Sequence, residues 1–306
     1  MVLAASGPSR GLRQPSDGLR HGENARVAGA GRDHPLGSHG DRVPPLRVGI
    51  VNIMPRAETY ESYVLRPLAR AILPVSPVWI RLRSHTYGSS DSDHIERTYV
   101  AFEDALRQGP LDGLILTGAP VEELEFHQVH YWNELVEILR FCRTHVPSVL
   151  GVCWGGLALA KLLGIEKFVS RTKVFGVFQN RNLVPDHPIL GGADDLFWCV
   201  HSRHSGIRDA DLEAARDAGV VRLLAHGPDT GYSIFESCDR RFLMHLGHPE
   251  YGASRLRDEW ERDASLGRRD VERPRNFDLE RPSSVWQSHC NDLFSQWLRD
   301  IATGRP

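Results

Sequence analysis

The chain has 306 residues, of which 41% are hydrophobic and 25% charged, and its formal net charge at pH 7 is −2. This composition is typical of a globular protein, and the near balance of charges argues against nucleic acid or an anionic membrane surface as a partner. No window approaches eighteen consecutive apolar residues, so the sequence predicts no membrane-spanning helix.

The five cysteines form no CxxC pair, and their odd number would leave one thiol unpaired. A reduced intracellular protein with separate thiols fits this pattern better than a disulfide scaffold or a zinc ribbon does. The sequence also lacks both G-x-G-x-x-G and G-x-x-x-x-G-K-[ST], which disfavours Rossmann and P-loop nucleotide sites. We therefore expect a cytoplasmic protein without a bound metal.

Residues 1–45 differ in composition from the rest of the chain. They are rich in Gly, Arg, His and Pro and show no apolar periodicity. Because such a segment has little apolar surface to bury, we expect a disordered N-terminal extension or a mis-assigned start. A targeting peptide is the weaker interpretation, since helix breakers occur throughout and an apolar h-region is missing. The remainder, 46–302, is predicted to form one domain.

Short apolar runs alternate with helical patterns in the first half of this domain. Strands are predicted at 46–53, 75–83, 111–120 and 146–153, and helices at 59–73, 101–109 and 127–145. Strands that alternate with helices of this length form right-handed crossovers and parallel pairing. In such sheets the chemistry lies at the carboxyl ends of the strands.

The second half is predicted to be partly antiparallel. Short strands with polar turns are predicted at 173–184, 195–204, 220–227, 231–238 and 241–251, and long amphipathic helices at 252–267 and 284–302. The predicted fold class is therefore α/β, with a mainly parallel sheet flanked by helices.

The segment Gly151-Val-Cys153-Trp154-Gly155 lies where a predicted strand meets a predicted helix. Glycines on both sides of a central nucleophile are typical of a tight elbow that exposes its side chain. The helix N-terminus favours the thiolate, and the amide of Trp154 together with one from Gly118 would hold an oxyanion. The alternative is that Cys153 simply fills the core, as free cysteines often do.

A thiol nucleophile requires a base, and His248 is the strongest candidate among fifteen histidines. It ends the apolar segment LMHLGHPEY (243–251), with Glu250 two residues later. Since residues i and i+2 of an extended segment project to the same side, His248 would take the thiol proton while Glu250 orients the imidazole. Alternatively, the HPE segment is an ordinary strand-to-loop turn. His245 is predicted to be a structural strand residue.

Several motifs along 46–300 occur together in one known family: LTGAPVEELEF (116–126), HSR (201–203), GHPEY (247–251) and W-x-S-H (286–289). The cysteine elbow followed by H-x-E resembles the class I glutamine amidotransferase-like (flavodoxin-like) fold. The combined motifs resemble the homoserine O-acyltransferase, or trans-succinylase, family of methionine biosynthesis.

This resemblance implies a ping-pong acyl transfer in which Cys153 takes an acyl group from an acyl-CoA and passes it to the hydroxyl of homoserine. His248 would act as the base in both halves of the reaction. By motif position, Lys173, Ser202 and Arg262 would bind the amino acid, and a cation such as Arg262 suits its carboxylate. Small molecules are the expected partners, with acetyl-CoA as co-substrate and no bound cofactor, and a homodimer is left open.

Glu122 is expected to govern the choice of acyl group. In the family that the chain resembles, glycine at this position goes with succinyl-CoA and glutamate with acetyl-CoA. A carboxylate here would fill space and repel the distal carboxylate of a succinyl group, so acetyl transfer is predicted. Alternatively, Glu122 simply starts the next helix, where its charge would suit the dipole.

Two positions near the predicted site differ from the family pattern. Ala57 stands where a lysine is usual after the Met-Pro pair, and Leu157 replaces the glutamine of the cysteine motif. Other readings therefore stay open: the same chemistry with succinyl-CoA or with L-serine as acceptor, or a glutamine amidotransferase or cysteine hydrolase on this fold. A catalytically silent binding protein is a further alternative, which the presence of all three predicted catalytic residues disfavours.

Overall fold

The computed structural model describes residues 44–304, and the predicted extension 1–45 lies outside them except for its last two residues. Ten strands among residues 44–304 form a single sheet: β1 (Leu46–Val51), β2 (Val75–Arg81), β3 (Val100–Ala101), β4 (Gly113–Leu116), β5 (Val149–Val152), β6 (Phe168–Asn182), β7 (Leu196–Gly206), β8 (Val221–Gly227), β9 (Gly231–Ser237) and β10 (Phe242–His245).

In the part of the chain that the structure describes, eight α-helices connect or flank these strands: α1 (Ala57–Leu68), α2 (Ser92–Thr98), α3 (Phe102–Arg107), α4 (Trp132–His145), α5 (Trp154–Leu162), α6 (Asp209–Asp217), α7 (Ala253–Ser265) and α8 (Gln287–Ala302). A short 3-10 helix covers Phe126–Gln128. Within the described residues, no helix is long and apolar enough to cross a membrane.

The strand order is β3-β2-β1-β4-β5-β10-β9-β8-β6-β7. The five pairings from β3 to β10 are parallel, and the four from β10 to β7 are antiparallel. The predicted α/β class and the antiparallel second half are both confirmed. Because β1, β4, β5 and β10 are neighbours and run in the same direction, the residues that follow them lie together at one edge of the sheet.

Successive residues of the central strands point to opposite faces of the sheet, as the geometry of a strand requires. On β4, Ile115 belongs to one apolar cluster, whereas Leu114 and Leu116 belong to another. Helices α1 and α8 add side chains to the first cluster, and α4 and α5 add theirs to the second. The continuous apolar runs of these strands are therefore explained by burial on both faces.

The sequence patterns missed α2, β3 and α6, and they placed the end of the first helix five residues too late. Helix α2 buries only Ile95, and α6 buries only Leu212 and Ala215, so neither shows a clear apolar period. Helix α1 ends at Leu68, directly after Pro67, instead of continuing to 73. Short polar helices are stabilised by the sheet on which they pack, and that contribution leaves little signal in sequence.

Candidate active site

Cys153 lies between the end of β5 and the start of α5, as predicted, and its backbone is unusual. Its φ is 52° and its ψ is −115°, a region that residues other than glycine rarely adopt. Such a conformation costs on the order of 1–3 kcal/mol and persists only where the surrounding structure imposes it. The turn therefore has the geometry of a nucleophile elbow.

The two flanking glycines allow this turn because the chain segments approach each other too closely for side chains. A Cβ atom on Gly151 would lie 2.6 Å from the carbonyl oxygen of Gly155, and one on Gly155 would lie 2.4 Å from that of Leu116. Both distances are well below van der Waals contact. The glycines were predicted from the motif, and the neighbouring strand β4 supplies the physical reason for the second one.

His248 follows β10 and is anchored by its own backbone, whose N–H donates to the carbonyl of Val200 at 2.7 Å. Its Nδ1 lies 2.8 Å from Oε1 of Glu250, and its ring stacks on Tyr251 with centroids 4.0 Å apart. Both His248 and Glu250 are buried, so the carboxylate fixes the tautomer and the stacked ring fixes the plane of the imidazole. The structure thus brings together the predicted base and its orienting acid.

The thiol and the imidazole are electrostatically coupled. Burial lowers the pKa of His248, but the negative charges of Cys153 and Glu250, together with hydrogen bonding, raise it well above its usual value. A protonated imidazole next to the sulfur favours the thiolate, which is the reactive form of cysteine. The pair is therefore suited to nucleophilic attack and then to proton return.

Gly118 lies against both of these side chains. A Cβ atom built on it would be 3.3 Å from Cε1 of His248 and 3.6 Å from Cβ of Cys153. The amides of Trp154 and Gly155 open helix α5, where the first N–H groups have no partner within the helix. The predicted oxyanion donors, Trp154 and Gly118, thus border the thiol, and their role in binding an oxyanion stays a prediction.

Tyr60 is a site residue that the sequence analysis missed. Its hydroxyl donates to Oε1 of Glu250 at 2.7 Å, although 190 positions separate the two residues. The guanidinium of Arg66, also on α1, donates to the main-chain carbonyl of Glu250 at 2.7 Å. Helix α1 therefore holds Glu250, the predicted orienting acid, in place. No local motif marks Tyr60, because its role depends on how α1 packs against the turn after β10.

The three residues predicted to bind the amino acid, Lys173, Ser202 and Arg262, line a cavity of about 450 Å³ that Cys153 and His248 also line. None of the three is free. Lys173 donates to Asp263 at 2.9 Å, Ser202 donates to Glu259 at 2.5 Å, and Nε of Arg262 donates to Asp263 at 2.7 Å. The sequence analysis missed both acids, which come from the same helix as Arg262.

Glu259 is buried and ionised. Burial raises its pKa, but the charges of Lys173 and Arg255, with the hydrogen bond from Ser202, lower it to about 2. The hydroxyl of Tyr251 also donates to it at 3.0 Å. The end of the cavity that Lys173, Ser202 and Arg262 line therefore presents both signs of charge, with a fixed carboxylate beside a half-exposed guanidinium.

Glu122 also lines the cavity, but it does not begin a helix. It lies in a turn, and the next helical segment starts only at Phe126, so the dipole interpretation is wrong. One oxygen of its carboxylate accepts from the N–H of Ser205 at 3.2 Å, and the other lies 3.5 Å from Nδ1 of His204. The side chain is thus held against β7 and is directed toward the site.

The two departures from the family pattern lie outside the cavity lining. Ala57 is buried at the start of α1, where its N–H donates to the hydroxyl of Ser90 at 3.0 Å. Leu157 is buried in the apolar cluster beneath α5. Within residues 44–304, no three His, Cys, Asp or Glu side chains are arranged to share a metal ion.

The matching family model is described as homoserine O-succinyltransferase and spans residues 35–303. A homoserine O-acetyltransferase of Bacteroides fragilis is 38% identical over 263 residues, covering 84% of this chain and 84% of that protein. One of Lachnoclostridium phytofermentans is 34% identical over 262 residues, covering 84% and 85%.

Among solved structures, a glutamine amidotransferase of Thermotoga maritima covers 85% of this chain and 99% of its own, with a TM-score of 0.54 and 13% identity. Another from Methylobacillus flagellatus covers 83% and 94%, with a TM-score of 0.51 and 14% identity. At these identities the likeness concerns the fold alone, and it confirms the predicted class I glutamine amidotransferase-like architecture.

The close packing at the elbow leads to a stability prediction. We expect Gly155→Ala to lower the free energy of unfolding by ~1–3 kcal/mol, because the new methyl group overlaps the carbonyl of Leu116. Denaturant unfolding measures the change. Gly88→Ala is the matched control, since a Cβ atom there meets nothing within 4 Å. Equal losses in the two variants would contradict the argument.

The raised pKa of His248 predicts that its imidazolium activates the neighbouring thiol. In a Cys238→Ser background, which removes the exposed cysteine, iodoacetamide should alkylate Cys153 at least about tenfold faster than it does when His248→Asn is added, because the imidazolium is then lost. Intact mass spectrometry at pH 7 measures both rates. Equal rates would show that His248 does not activate the thiol.

Proposed function

The chain belongs to the homoserine O-succinyltransferase family, and from this premise we propose that it transfers an acetyl group from acetyl-CoA to the hydroxyl of L-homoserine. The observation that carries the proposal is the coupled Cys153, His248 and Glu250 constellation at a cavity that also holds the carboxylate of Glu122. Such an acyltransferase serves methionine biosynthesis. We place it in the cytoplasm, a setting compatible with five free cysteines.

The first half of the proposed reaction forms an acyl-enzyme. The thiolate of Cys153 attacks the thioester carbonyl, and the amides of Trp154 and Gly118 stabilise the oxyanion that develops. The C–S bond to coenzyme A then breaks, and the imidazolium of His248 protonates the departing sulfur. One thioester replaces another, so this step is nearly balanced in energy, and no bound cofactor is needed.

The second half transfers the acetyl group to the amino acid. Neutral His248 removes the proton from the hydroxyl as its oxygen attacks the acetyl carbonyl, and the C–S bond to Cys153 breaks. The thiolate and the imidazolium are thereby restored. Glu250, held by Tyr60, stabilises the positive charge on the imidazole in both halves.

The amino acid would bind at the charged end of the cavity. Arg262 is half-exposed and suits the carboxylate, whereas the buried Glu259 suits the ammonium group. Lys173 is itself buried and lies 3.8 Å from Glu259 and 2.9 Å from Asp263, so it balances the charge of these two acids. Ser202 orients Glu259 through its hydroxyl.

The proposal predicts a covalent intermediate on Cys153. Acetyl-CoA without an acceptor should add one acetyl group to the protein by intact mass, and Cys153→Ser should lose this adduct and reduce turnover by at least about a thousandfold. Cys199→Ser is the control, since that thiol is buried within β7 and lies outside the cavity lining. Near-normal turnover in Cys153→Ser would end the proposal.

The substrates are identified by measuring CoA release from acetyl-CoA or succinyl-CoA, each with homoserine or serine. We expect acetyl-CoA with homoserine to be the fastest pair. Faster turnover with serine would identify serine as the acceptor. Release of ammonia from glutamine, with no CoA release, would favour an amidotransferase instead.

Glu122→Gly should shift the preference from acetyl-CoA toward succinyl-CoA by about tenfold or more, because it removes both the bulk and the charge that oppose a distal carboxylate. Glu122→Gln keeps the bulk and removes the charge, so it should still exclude the succinyl group. The ratio of kcat/KM values for the two acyl donors is the measurement. An unchanged ratio in Glu122→Gly would show that Glu122 does not control the choice of acyl donor.

A further inference from the structure

The carboxylate of Glu122 lies in a small binding site that His204 and the N–H of Ser205 form. The N–H of Ser205 points at one oxygen from 3.2 Å, and Nδ1 of His204 lies 3.5 Å from the other. Both groups come from consecutive residues of β7, and His204 lines the same cavity as Cys153. A backbone donor beside an imidazole is a suitable arrangement for holding any carboxylate, whether from the protein or from a ligand.

The acidic groups around His204 favour the protonated, positively charged form of its imidazole. Its Nε2 lies 2.8 Å from Asp270, and its Nδ1 lies 3.6 Å from Glu123 as well as near Glu122. Arg268 also lies 3.3 Å from Nε2 and pairs with both Glu123 and Asp270. Burial lowers the pKa of His204, but contacts with Glu122, then Asp270 and Glu123, raise it above its usual value.

The positions of His204 and of the turn that carries Glu122 do not depend on the Glu122 side chain. The main-chain carbonyl of Glu122 accepts from the hydroxyl of Ser205 at 2.6 Å and from Lys167 at 2.9 Å. Asp270 holds His204 from the opposite side of the ring. Loss of the Glu122 side chain would therefore leave both the turn and the imidazole in place.

We propose that His204 and the N–H of Ser205 form a carboxylate-binding subsite for the acyl group, which Glu122 fills from within the protein. In this chain Glu122 satisfies the subsite and excludes acyl groups with a distal carboxylate. When Glu122 is removed, the same subsite binds that carboxylate. The inference rests on the proposed function, because it assumes that acyl groups are carried on Cys153, but it assigns the recognition to His204.

A comparison of two acyl donors can separate recognition of the carboxylate from the effect of added space alone. Butyryl and succinyl groups have the same four-carbon chain, and only the succinyl group ends in a carboxylate. Added space alone would admit both donors equally, whereas the subsite favours the succinyl group. The ratio of acylation rates with succinyl-CoA and butyryl-CoA therefore reports on the subsite, and dividing the two rates cancels general effects on Cys153.

The experiment measures acylation of Cys153 by intact mass, without an acceptor, using acetyl-CoA, butyryl-CoA and succinyl-CoA. We expect E122G to accept both four-carbon donors, with a succinyl-to-butyryl ratio at least about tenfold higher than that of E122G/H204N. The control is E122G/H226N, in which another histidine paired with an aspartate, at 2.8 Å from Asp209, is replaced on β8 outside the cavity. Its ratio should equal that of E122G.

The pH dependence of E122G tests the same inference without altering His204. Because the imidazolium binds the carboxylate, the succinyl-to-butyryl ratio should be highest below the pKa of His204 and fall about tenfold as the pH rises through it. The succinyl carboxylate stays ionised throughout, so its own titration does not contribute. The matched variant E122G/H204N should show a flat ratio.

The outcomes separate this inference from the function on which it rests. If acetyl-CoA fails to acylate Cys153 in the unaltered protein, the proposed function is wrong. If acetyl-CoA acylates it but E122G takes succinyl-CoA and butyryl-CoA equally, only the subsite is refuted. A ratio that is independent of pH in E122G and unchanged in E122G/H204N would likewise overturn the role of His204.

Discussion

Helix α5 starts in direct contact with strand β4, since no side chain separates Gly155 from the carbonyl oxygen of Leu116. This close approach fixes the direction of the helix relative to the strand before it, and Cys153 must therefore adopt a positive φ. The strained turn places the sulfur beside Gly118 and His248, which follow the neighbouring strands β4 and β10. The geometry of Cys153 thus depends on one backbone contact between a helix and a strand.

Buried charge is balanced around the cavity in two groups of residues. In the first, Tyr60 donates to Glu250, Glu250 binds His248, and His248 is coupled to the sulfur. In the second, Lys173 offsets the buried charges of Glu259 and Asp263. Removing one partner of a buried pair costs on the order of 3–5 kcal/mol, so each group holds its members in a defined geometry. The reaction therefore proceeds between groups that are already oriented.

Much of this arrangement could be predicted from local patterns. The alternating apolar runs located the central strands to within a few residues, and the G-x-C-x-G spacing identified the elbow, because a tight turn needs glycines wherever it occurs. The segment after β10 identified His248 and Glu250 as neighbours, since residues i and i+2 share one side of an extended chain. Short polar helices such as α2 and α6 escaped detection, because one or two buried residues do not establish a period.

The sequence by itself determined the fold class, the position of the cysteine elbow and the pairing of His248 with Glu250, because periodicity, turn chemistry and short spacing are local properties of a chain. Only the tertiary structure decided that Tyr60 supports Glu250, that the acids of α7 pair with Lys173, and that His204 faces Glu122. These contacts join elements far apart in sequence, and their partners are chosen by strand order and by the need to pair each buried charge. Polar residues of this kind carry no periodic signal, so their roles become visible only when the sheet has brought them together.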